Sequence, residues 1–328
     1  LLERGIDVYD LGMSPTPVVF RETQKIGAGI IITSSHNPLE WNGLKFILDG
    51  RGITESELEL VKNTKNSDRK RIGNEIQLES EYVSEASEII GNMSQPKQVT
   101  LDIGGGAARN VAPKLLEKIG CKITTINDEL EECSRGPDPT TEELEELITN
   151  TKDVGFAYDL DSDRVVVVMN GEKKSSDITL GLGVIKAIKL GIKKFVLSLD
   201  SSIAIEKYIL NHGGQVWRSK VGEANVIQTM IENEADAGGE GSSGGFILKK
   251  FNMCRDGLLT SGLVASMLDE DSIQNDIKFF ENYSQVRDKI SVESNLHDKL
   301  IEQLVEKLGK EYKISQLDGI KIEINDNT

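Results

Sequence analysis

Cysteine is scarce in this sequence, and long apolar runs are absent. The three cysteines, Cys121, Cys133 and Cys254, are odd in number and lack Cys-x-x-Cys spacing. A disulfide framework or a zinc site is therefore not expected, and reduced thiols indicate a cytoplasmic protein. The longest apolar runs, such as Val165–Met169, are far shorter than the roughly 18 residues that span a bilayer. No basic start with an apolar core predicts a signal peptide.

Positively charged residues are also fewer than negatively charged ones. Lysine and arginine number 38 against 54 aspartates and glutamates, which gives a formal net charge of −16. A surface this acidic repels nucleic acid and anionic membranes, so we expect neither as a partner. A small anionic substrate held by a few local cations is compatible with it. The apolar content of 38% with 31 glycines is ordinary for a globular protein, and 328 residues predict two domains or three small ones.

Short apolar runs alternate with helical patterns along most of the chain, which predicts an α/β fold with mostly parallel sheets. The first of these runs, Ala28–Thr33, is predicted to be a buried strand. Later strands are predicted at Val99–Ile103, Lys122–Ile126, Val154–Tyr158, Val165–Met169, Lys194–Leu199, Gln215–Ser219 and Gly245–Lys249. Helices are predicted near Asn110–Ile119, Glu142–Thr149, Ile178–Leu190, Ile203–Leu210, Glu223–Glu232 and Leu296–Leu308.

A polar segment with the sequence Thr-Ser-Ser-His-Asn-Pro, residues 33–38, ends the first apolar run. Its side chains are expected at the carboxyl end of the strand, where open α/β sheets bind their ligands. Ser35 supplies a hydroxyl that can act as a nucleophile or carry a phosphate, and His36 can orient it. The alternative is an ordinary turn, since Ser, Asn and Pro dominate turns. A Ser-His-Asp hydrolase is not indicated, because no Gly-x-Ser-x-Gly elbow surrounds Ser35.

Three aspartates, Asp159, Asp161 and Asp163, occupy alternate positions between two apolar strands. A divalent cation relieves their repulsion, and hard oxygen ligands favour Mg²⁺ or Ca²⁺. An EF-hand is disfavoured because Arg164 and Asn170 occupy the positions of its glycine and its last glutamate. Arg164 can hold a phosphate oxygen in a bidentate way. The alternative, an exposed acidic turn, agrees poorly with the apolar strands on either side.

A glycine-rich segment covers residues 238–245. Glycine lets the backbone approach a ligand closely. Glu240, Ser242 and Ser243 offer acceptors and donors that suit sugar hydroxyls. A flexible hairpin loop is the alternative interpretation.

Two weaker patterns lie elsewhere. Gly104-Gly105-Gly106 follows a strand and precedes a helix, but Arg109 replaces the last glycine of a dinucleotide-binding fingerprint. Lys45 lies a few residues beyond the serine loop. A lone lysine is usually solvated, but this closeness makes Lys45 a candidate general acid/base or phosphate contact.

Taken together, these motifs resemble those of the α-D-phosphohexomutase family. The matching segments occur in the family's order over nearly the whole chain: Thr33–Pro38, Asn42–Lys45, Asp159–Arg164 and Gly239–Gly245, with lesser matches at Pro15–Pro17, Val221–Val226 and Arg255–Gly257. The resemblance implies consecutive phosphohexomutase-type α/β domains with mixed, mostly parallel sheets at residues 1–95, 96–192 and 193–284. It implies the start of an α+β domain at residues 285–328.

The resemblance also implies a chemistry, namely transfer of a phosphoryl group between the 1- and 6-positions of a hexose phosphate. The transfer passes through a phosphoserine and a sugar 1,6-bisphosphate, with Mg²⁺ as cofactor, in a monomer or homodimer. The implied catalytic residues are Ser35, His36, Lys45 and Arg164. The implied metal ligands are Ser35, Asp159, Asp161 and Asp163. The implied substrate contacts are Lys220, Glu240, Ser242 and Ser243.

The sugar loop departs from the family's common Glu-x-Ser-Gly-His pattern. It has the additional Ser243, and Gly245 stands where histidine is usual. This longer glycine-rich form resembles the archaeal-type mutases. Phosphoglucosamine mutase is our first expectation, and a phosphomannomutase/phosphoglucomutase is the second.

Two family segments have no counterpart in this sequence: an opening Gly-Thr-x-Gly-Ile-Arg-Gly stretch and a late Arg-x-Ser-Gly-Thr-Glu-Pro phosphate loop. Their absence predicts a fragment that is inactive or weak by itself and that comes from a longer mutase. Two other function classes stay open. A haloacid dehalogenase-type phosphatase would use Asp159 as its nucleophile, and a non-catalytic protein would bind sugar phosphate without converting it.

Overall fold

The computed structural model describes residues 1–324 except residues 39, 65–70, 130–132, 271, 287 and 289. Strands and helices alternate along this part of the chain and form two larger mixed sheets and three small ones. The predicted domain of residues 285–328 lies partly outside the described residues. None of the described helices is both long and apolar enough to cross a membrane.

The first segment, residues 2–90, contains a three-stranded antiparallel sheet and a separate two-stranded parallel pair. A short 3-10 helix (Leu2–Arg4) opens it. Its elements are β1 (Val8–Asp10), α1 (Thr16–Ile26), β2 (Ala28–Ile32), β3 (Leu44–Leu48), β4 (Arg51–Gly52), α2 (Glu55–Asn63), β5 (Glu75–Gln77) and α3 (Tyr82–Ile90).

Strand β2 corrects the expectation of a strand buried on both faces. It pairs antiparallel with β3, and only the face that includes Ile31 is buried, with α1 packed beside the strand. Ile30 and Ile32 on the opposite face are 44% and 71% exposed. Side chains alternate between the two faces of a strand, so an apolar run does not by itself show that both faces are covered.

The second segment, residues 98–173, forms a five-stranded sheet in the order β10-β9-β8-β6-β7. Its elements are β6 (Gln98–Asp102), a 3-10 helix (Ala107–Asn110), α4 (Ala112–Lys118), β7 (Lys122–Ile126), α5 (Glu145–Asn150), β8 (Val154–Tyr158), β9 (Val165–Met169) and β10 (Glu172–Lys173). The β6 strand pairs in parallel with β7 and β8, whereas β8 and β9 are antiparallel. The acidic loop is therefore the tip of a hairpin between two fully buried strands.

The third segment, residues 176–281, has a four-stranded sheet in the order β12-β11-β13-β14. Its elements are α6 (Ser176–Lys189), β11 (Lys194–Ser198), α7 (Ile203–Asn211), β12 (Gln215–Ser219), α8 (Glu223–Glu232), β13 (Ala237–Glu240), β14 (Gly245–Leu248), α9 (Gly257–Ala265) and α10 (Ile273–Glu281). Beyond it lie a 3-10 helix (Ser294–Leu296), α11 (His297–Leu308), and the antiparallel pair β15 (Lys313–Ser315) and β16 (Lys321–Glu323).

One hydrophobic core joins all three segments, since Tyr82 of α3 in the first segment belongs to it. It includes Phe156 of the first large sheet, Phe195 and Phe246 of the second, and Leu258 of α9. Every residue of α9 is buried. Continuous packing across segments fixes their loops relative to one another, because close-packed interiors resist deformation. The mixed α/β architecture agrees with the predicted fold class.

Candidate active site

The acidic loop after β8 brings three carboxylates together. Oxygen atoms of Asp159, Asp161 and Asp163 lie within 4.8 Å of one another, and all three residues are buried. The loop turns because Ser162 takes a left-handed conformation (φ 62°) and its backbone N–H donates to the carbonyl of Asp159 at 3.2 Å. The three aspartates that the sequence pattern singles out therefore do lie together.

Within this cluster, the hydrogen bonds of Asp161 and Asp163 leave one oxygen of each carboxylate free. Lys45 Nζ lies 2.7 Å from Oδ2 of Asp161 and 3.1 Å from Oδ2 of Asp163. Thr16 donates its hydroxyl to the same Asp161 oxygen at 2.8 Å. Oδ1 of Asp161 and Oδ1 of Asp163 are buried without a hydrogen-bond partner. Three buried carboxylates this close together, two of them with an oxygen that makes no hydrogen bond, fit the ligand set of a hard divalent cation.

The surroundings shift the pKa values of Asp159 and Asp163 in opposite directions. Burial, followed by repulsion from Asp161 and Asp163, raises the pKa of Asp159 well above its ordinary value. Burial also opposes ionisation of Asp163, but Arg255 and Lys45 hold the pKa of that carboxyl below its ordinary range. Burial works to lower the pKa of Lys45, and the attraction of Asp163 and Asp161 outweighs it and raises that pKa. Lys45 therefore stays positively charged beside Asp161 and Asp163.

The serine loop meets the acidic loop at Ser35. Its hydroxyl donates to Oδ2 of Asp159 at 3.1 Å, and the residue is 7% exposed. Ser35 takes a positive φ of 53°, and its backbone N–H donates to the hydroxyl of Thr33 at 2.8 Å. A strained turn of this kind is common at functional sites. An open cleft of about 200 Å³ beside it is lined in part by Trp41 and Lys45.

His36 links Ser35 to Arg164. Its Nε2 lies 3.3 Å from a guanidinium nitrogen of Arg164, and its Nδ1 lies 3.3 Å from Ser35 Oγ. Burial, and then the charge of Arg164, lowers the pKa of His36. Arginine only donates, so Nε2 of a neutral His36 accepts and Nδ1 carries the proton toward Ser35. The other terminal nitrogen of Arg164 donates to a carboxylate oxygen of Asp138 at 3.2 Å.

The glycine-rich segment is partly strand. Residues 238–240 belong to β13, and the turn that follows leads into β14. Glu240 is buried, and its two carboxylate oxygens accept from Gly222 N–H and from Arg255, each at 2.8 Å. The glycine-rich segment is thus a hairpin whose two strands are buried and whose turn covers residues 241–244.

The predicted sugar-contact residues differ in accessibility. The hydroxyl of Ser243 is buried and accepts from the backbone N–H of Gly245 at 3.2 Å, so it supports the turn from inside. Ser242 is half-buried and Lys220 is exposed on the loop after β12. These two side chains are the accessible members of the predicted set.

The triple-glycine segment packs closely against the acidic loop. A Cβ on Gly106 would lie 2.6 Å from the carbonyl oxygen of Leu160, so only glycine permits this approach. The N–H groups of Gly104 and Gly105 already donate to Asp102 and Asn127. These two N–H groups are thus used within the protein, which argues against a dinucleotide site here.

Two residues of the site were not predicted, although both lie in segments of the resemblance. Thr16, in the Pro-Thr-Pro segment, binds Asp161 through its hydroxyl and also through its backbone N–H, which donates to the Asp161 carbonyl at 2.8 Å. Arg255, in the Arg-Asp-Gly segment, donates to Asp163 at 2.8 Å. Their partners are far away in sequence, so spacing alone could not reveal these roles.

Comparison with known proteins agrees with this architecture. Three family models match the chain: phosphoglucomutase/phosphomannomutase α/β/α domain I over residues 1–72, domain II over residues 80–172 and domain III over residues 178–283. A probable phosphoglucosamine mutase of Pyrococcus horikoshii is 33% identical over 99% of this chain and 77% of its own length. The corresponding protein of Methanothermobacter thermautotrophicus is 30% identical over 100% of this chain and 77% of its own.

Solved structures share the fold. A phosphoglucomutase/phosphomannomutase family protein from Burkholderia thailandensis superposes with a TM-score of 0.80 at 21% identity, over 98% of this chain and 75% of that one. A putative phosphomannomutase from Thermus thermophilus gives a TM-score of 0.77 at 21% identity, over 97% and 76%.

The fold and the relatives together define an isomerase that acts as an intramolecular phosphotransferase. The chain belongs to the phosphoglucomutase/phosphomannomutase family, the α-D-phosphohexomutases. This is not the haloacid dehalogenase family that the phosphatase alternative requires.

Proposed function

We propose that the chain is a phosphoglucosamine mutase that carries its transferable phosphoryl group on Ser35. The observation that carries this proposal is the contact of 3.1 Å between Ser35 Oγ and Asp159 within the carboxylate cluster. A phosphate on that hydroxyl would add oxygen ligands beside the unpaired oxygens of Asp161 and Asp163. Arg164 would contact the transferring group, since its guanidinium already approaches the serine loop through His36.

Mg²⁺ is the proposed cofactor, held by Ser35 or its phosphate together with Asp159, Asp161 and Asp163. When bound, it would neutralise charge on the transferring phosphoryl group. The residues of the chain do the positioning. The turn at Ser35 presents the hydroxyl, and the buried hairpin tip fixes the carboxylates.

In the proposed transfer, a sugar hydroxyl attacks the phosphorus of phosphorylated Ser35, and the bond between phosphorus and Ser35 Oγ breaks. The sugar hydroxyl loses a proton and the Ser35 oxygen regains one, so a carrier between them completes the balance. Lys45 is the proposed carrier because it lies at the cleft and contacts the same cluster. In the second transfer, the Ser35 hydroxyl takes the other phosphoryl group from the sugar bisphosphate. The sugar oxygen at that end regains a proton, and the isomeric hexose phosphate is left.

Glu240, Ser242, Ser243 and Lys220 are the proposed substrate contacts. The names of the relatives support glucosamine phosphate, whereas the solved structures support only the fold. The sugar 1,6-bisphosphate is proposed as activator and intermediate. A cytoplasmic monomer or homodimer is the proposed state, and the net charge of −16 supports the absence of nucleic-acid and membrane partners.

The test isolates the first half-reaction. The protein is incubated with MgCl₂ and glucose 1,6-bisphosphate, and peptides across Thr33–Lys45 are mapped by mass spectrometry. We expect one phosphate on Ser35, none in Ser35→Ala, and unchanged labelling in Ser34→Ala. Phosphate elsewhere in the peptide, or an acyl-phosphate on Asp159, would contradict the proposal. Full-turnover assays with the 6-phosphates of glucosamine, mannose and glucose then assign the sugar.

A further inference from the structure

Arg255 lies among three carboxylates that come from different parts of the fold. Its two terminal nitrogens contact Asp163 of the acidic loop and Glu240 of β13, each at 2.8 Å. Its backbone N–H donates to Glu223, at the start of α8, at 2.8 Å. One guanidinium therefore joins the carboxylate cluster of the second segment to the glycine-rich hairpin of the third.

The guanidinium of Arg255 is held in place by ion pairs with buried carboxylates. Arg255 is largely buried, with 12% of its side chain exposed, and Asp163 and Glu240 are almost fully buried. Burial opposes the charge, but Asp163 and Glu223 outweigh it and keep the pKa of Arg255 high. Charge-assisted bonds in a buried setting are stronger and more directional than surface pairs.

The contact with Arg255 also sets which oxygen of Asp163 is available. Oδ2 of Asp163 accepts from Arg255 and Lys45, whereas Oδ1 has no hydrogen-bond partner. The guanidinium contacts one carboxylate oxygen of Glu240, and the other oxygen accepts from the N–H of Gly222. Both carboxylates are thus fixed in orientation by one planar group. A lysine cannot do this, because its ammonium is a point charge without the fork geometry.

The glycine at position 245 makes room for this arginine. A Cβ on Gly245 would lie 2.3 Å from Cδ and 2.7 Å from Cγ of Arg255. Gly245 has no positive φ, so its backbone accepts other residues and the constraint comes from the arginine stem.

We propose that Arg255 is a positioning residue that aligns the sugar-binding carboxylate Glu240 with the cation-binding carboxylate Asp163. The inference rests on the proposed function and deepens it. Arg255 need not touch the substrate, since its effect passes through the two carboxylates. Displacing the arginine stem from Gly245 should therefore resemble removing the guanidinium itself.

The test measures dissociation constants for glucosamine 6-phosphate and for MgCl₂ by calorimetry, with thermal unfolding as the check on folding. The variants are Arg255→Met, Arg255→Lys and Gly245→Ala. The control is Gly52→Ala, because a Cβ there meets nothing within 4 Å and its φ is not positive. We expect the sugar phosphate to bind about tenfold or more weakly to Arg255→Met and Gly245→Ala. Arg255→Lys should recover only part of the loss, and Gly52→Ala should match the parent.

Mg²⁺ provides the readout that a merely structural role would not give. Arg255→Met removes a positive charge beside Asp163, which favours Mg²⁺, and also a donor that orients that carboxylate, which opposes it. These effects oppose each other, so Mg²⁺ affinity should change by less than about threefold while the sugar phosphate binds about tenfold more weakly. Unchanged sugar-phosphate affinity in both Arg255→Met and Gly245→Ala would overturn the inference. A parallel loss of both affinities would also overturn it, in favour of a general folding role. Failure of the parent protein to bind glucosamine 6-phosphate and to label Ser35 would instead refute the proposed function.

Discussion

Ser35 and Asp159 are 124 residues apart in the sequence, and their side chains meet through a hydrogen bond of 3.1 Å. The bond joins a hydroxyl on a strained turn to a carboxylate at the tip of a buried hairpin. It is possible because the hydrophobic core holds the segments in a fixed arrangement. The proposed phosphate carrier and the proposed cation ligands, which come from different segments, thereby lie side by side, as positioning of reacting groups requires.

Asp161 tests whether the cluster binds a cation. Its Oδ1 is buried and unpaired, so Asp161→Asn should remove charge and a ligand while keeping the side-chain shape. We expect the dissociation constant for Mg²⁺, measured by calorimetry, to rise by about tenfold or more. Asp153→Asn is the control, because Asp153 is an exposed aspartate of the same segment. Equal Mg²⁺ affinities in the two variants would argue against a metal site here.

A substitution of Lys45 tests whether its positive charge stabilises the carboxylate cluster when no Mg²⁺ is bound. Its ammonium lies within 3.1 Å of carboxylate oxygens of both Asp161 and Asp163. Lys45→Met should lower the free energy of unfolding without Mg²⁺ by about 1–3 kcal/mol, because buried carboxylates lose their partner. Added Mg²⁺ should restore stability, so its effect on Tm should exceed that in the parent.

Lys62→Met is the matched control for Lys45, because Lys62 forms an exposed pair with Glu59 and its loss should cost less than about 0.5 kcal/mol. If Lys45→Met and Lys62→Met are equally stable without Mg²⁺, Lys45 does not compensate the cluster. Chemical denaturation in the presence of a chelator gives the measurement.

The free energy of unfolding should depend on pH through the buried pair Tyr82 and Asp256. Burial raises the pKa of Asp256 to about 6 from an ordinary 3.8. The folded protein therefore holds this proton more tightly than the unfolded chain, and the resulting stabilisation is lost as the pH rises through about 6. The Tyr82 hydroxyl donates to Asp256 at 2.5 Å and favours the ionised carboxylate.

Tyr82→Phe should therefore cost about 1–2 kcal/mol of unfolding free energy near neutral pH and less near pH 4, where the carboxyl is protonated. Urea denaturation of variant and parent at both pH values measures the difference. A cost that is independent of pH would show that Tyr82 acts through packing alone.

The two loops of the candidate site could be found from the sequence because their residue patterns are local. Three aspartates at alternate positions, and a serine beside a histidine, are visible without knowledge of the fold. The contacts of Thr16 and Arg255 were not predictable in this way, since each lies with its partner only after distant segments pack.

Two elements show why the fold itself was predicted incompletely. Helix α9 is buried on every side, so it lacks the amphipathic pattern by which helices are recognised. Strand β2 has an uninterrupted apolar sequence, yet Ile32 is 71% exposed. Hydrophobicity indicated a strand in that case, but coverage of its faces depends on which elements pack against it.

Thr16 provides a final test, which separates support of the acidic loop from stability in general. Thr16→Val removes the hydroxyl that donates to Asp161 at 2.8 Å and keeps the branched shape. Thr23→Val removes a similar buried hydroxyl on the same helix, whose bond of 2.8 Å goes to the carbonyl of Phe20. Each change should cost about 1 kcal/mol of unfolding free energy.

Only Thr16→Val should also weaken Mg²⁺ binding, by about two- to fivefold, because Asp161 then loses a donor that fixes its orientation. Calorimetric titration with MgCl₂ distinguishes the variants after their stabilities have been matched by choice of temperature. Equal Mg²⁺ affinity in Thr16→Val and Thr23→Val would mean that the backbone bond between Thr16 N–H and the Asp161 carbonyl is sufficient to hold the loop.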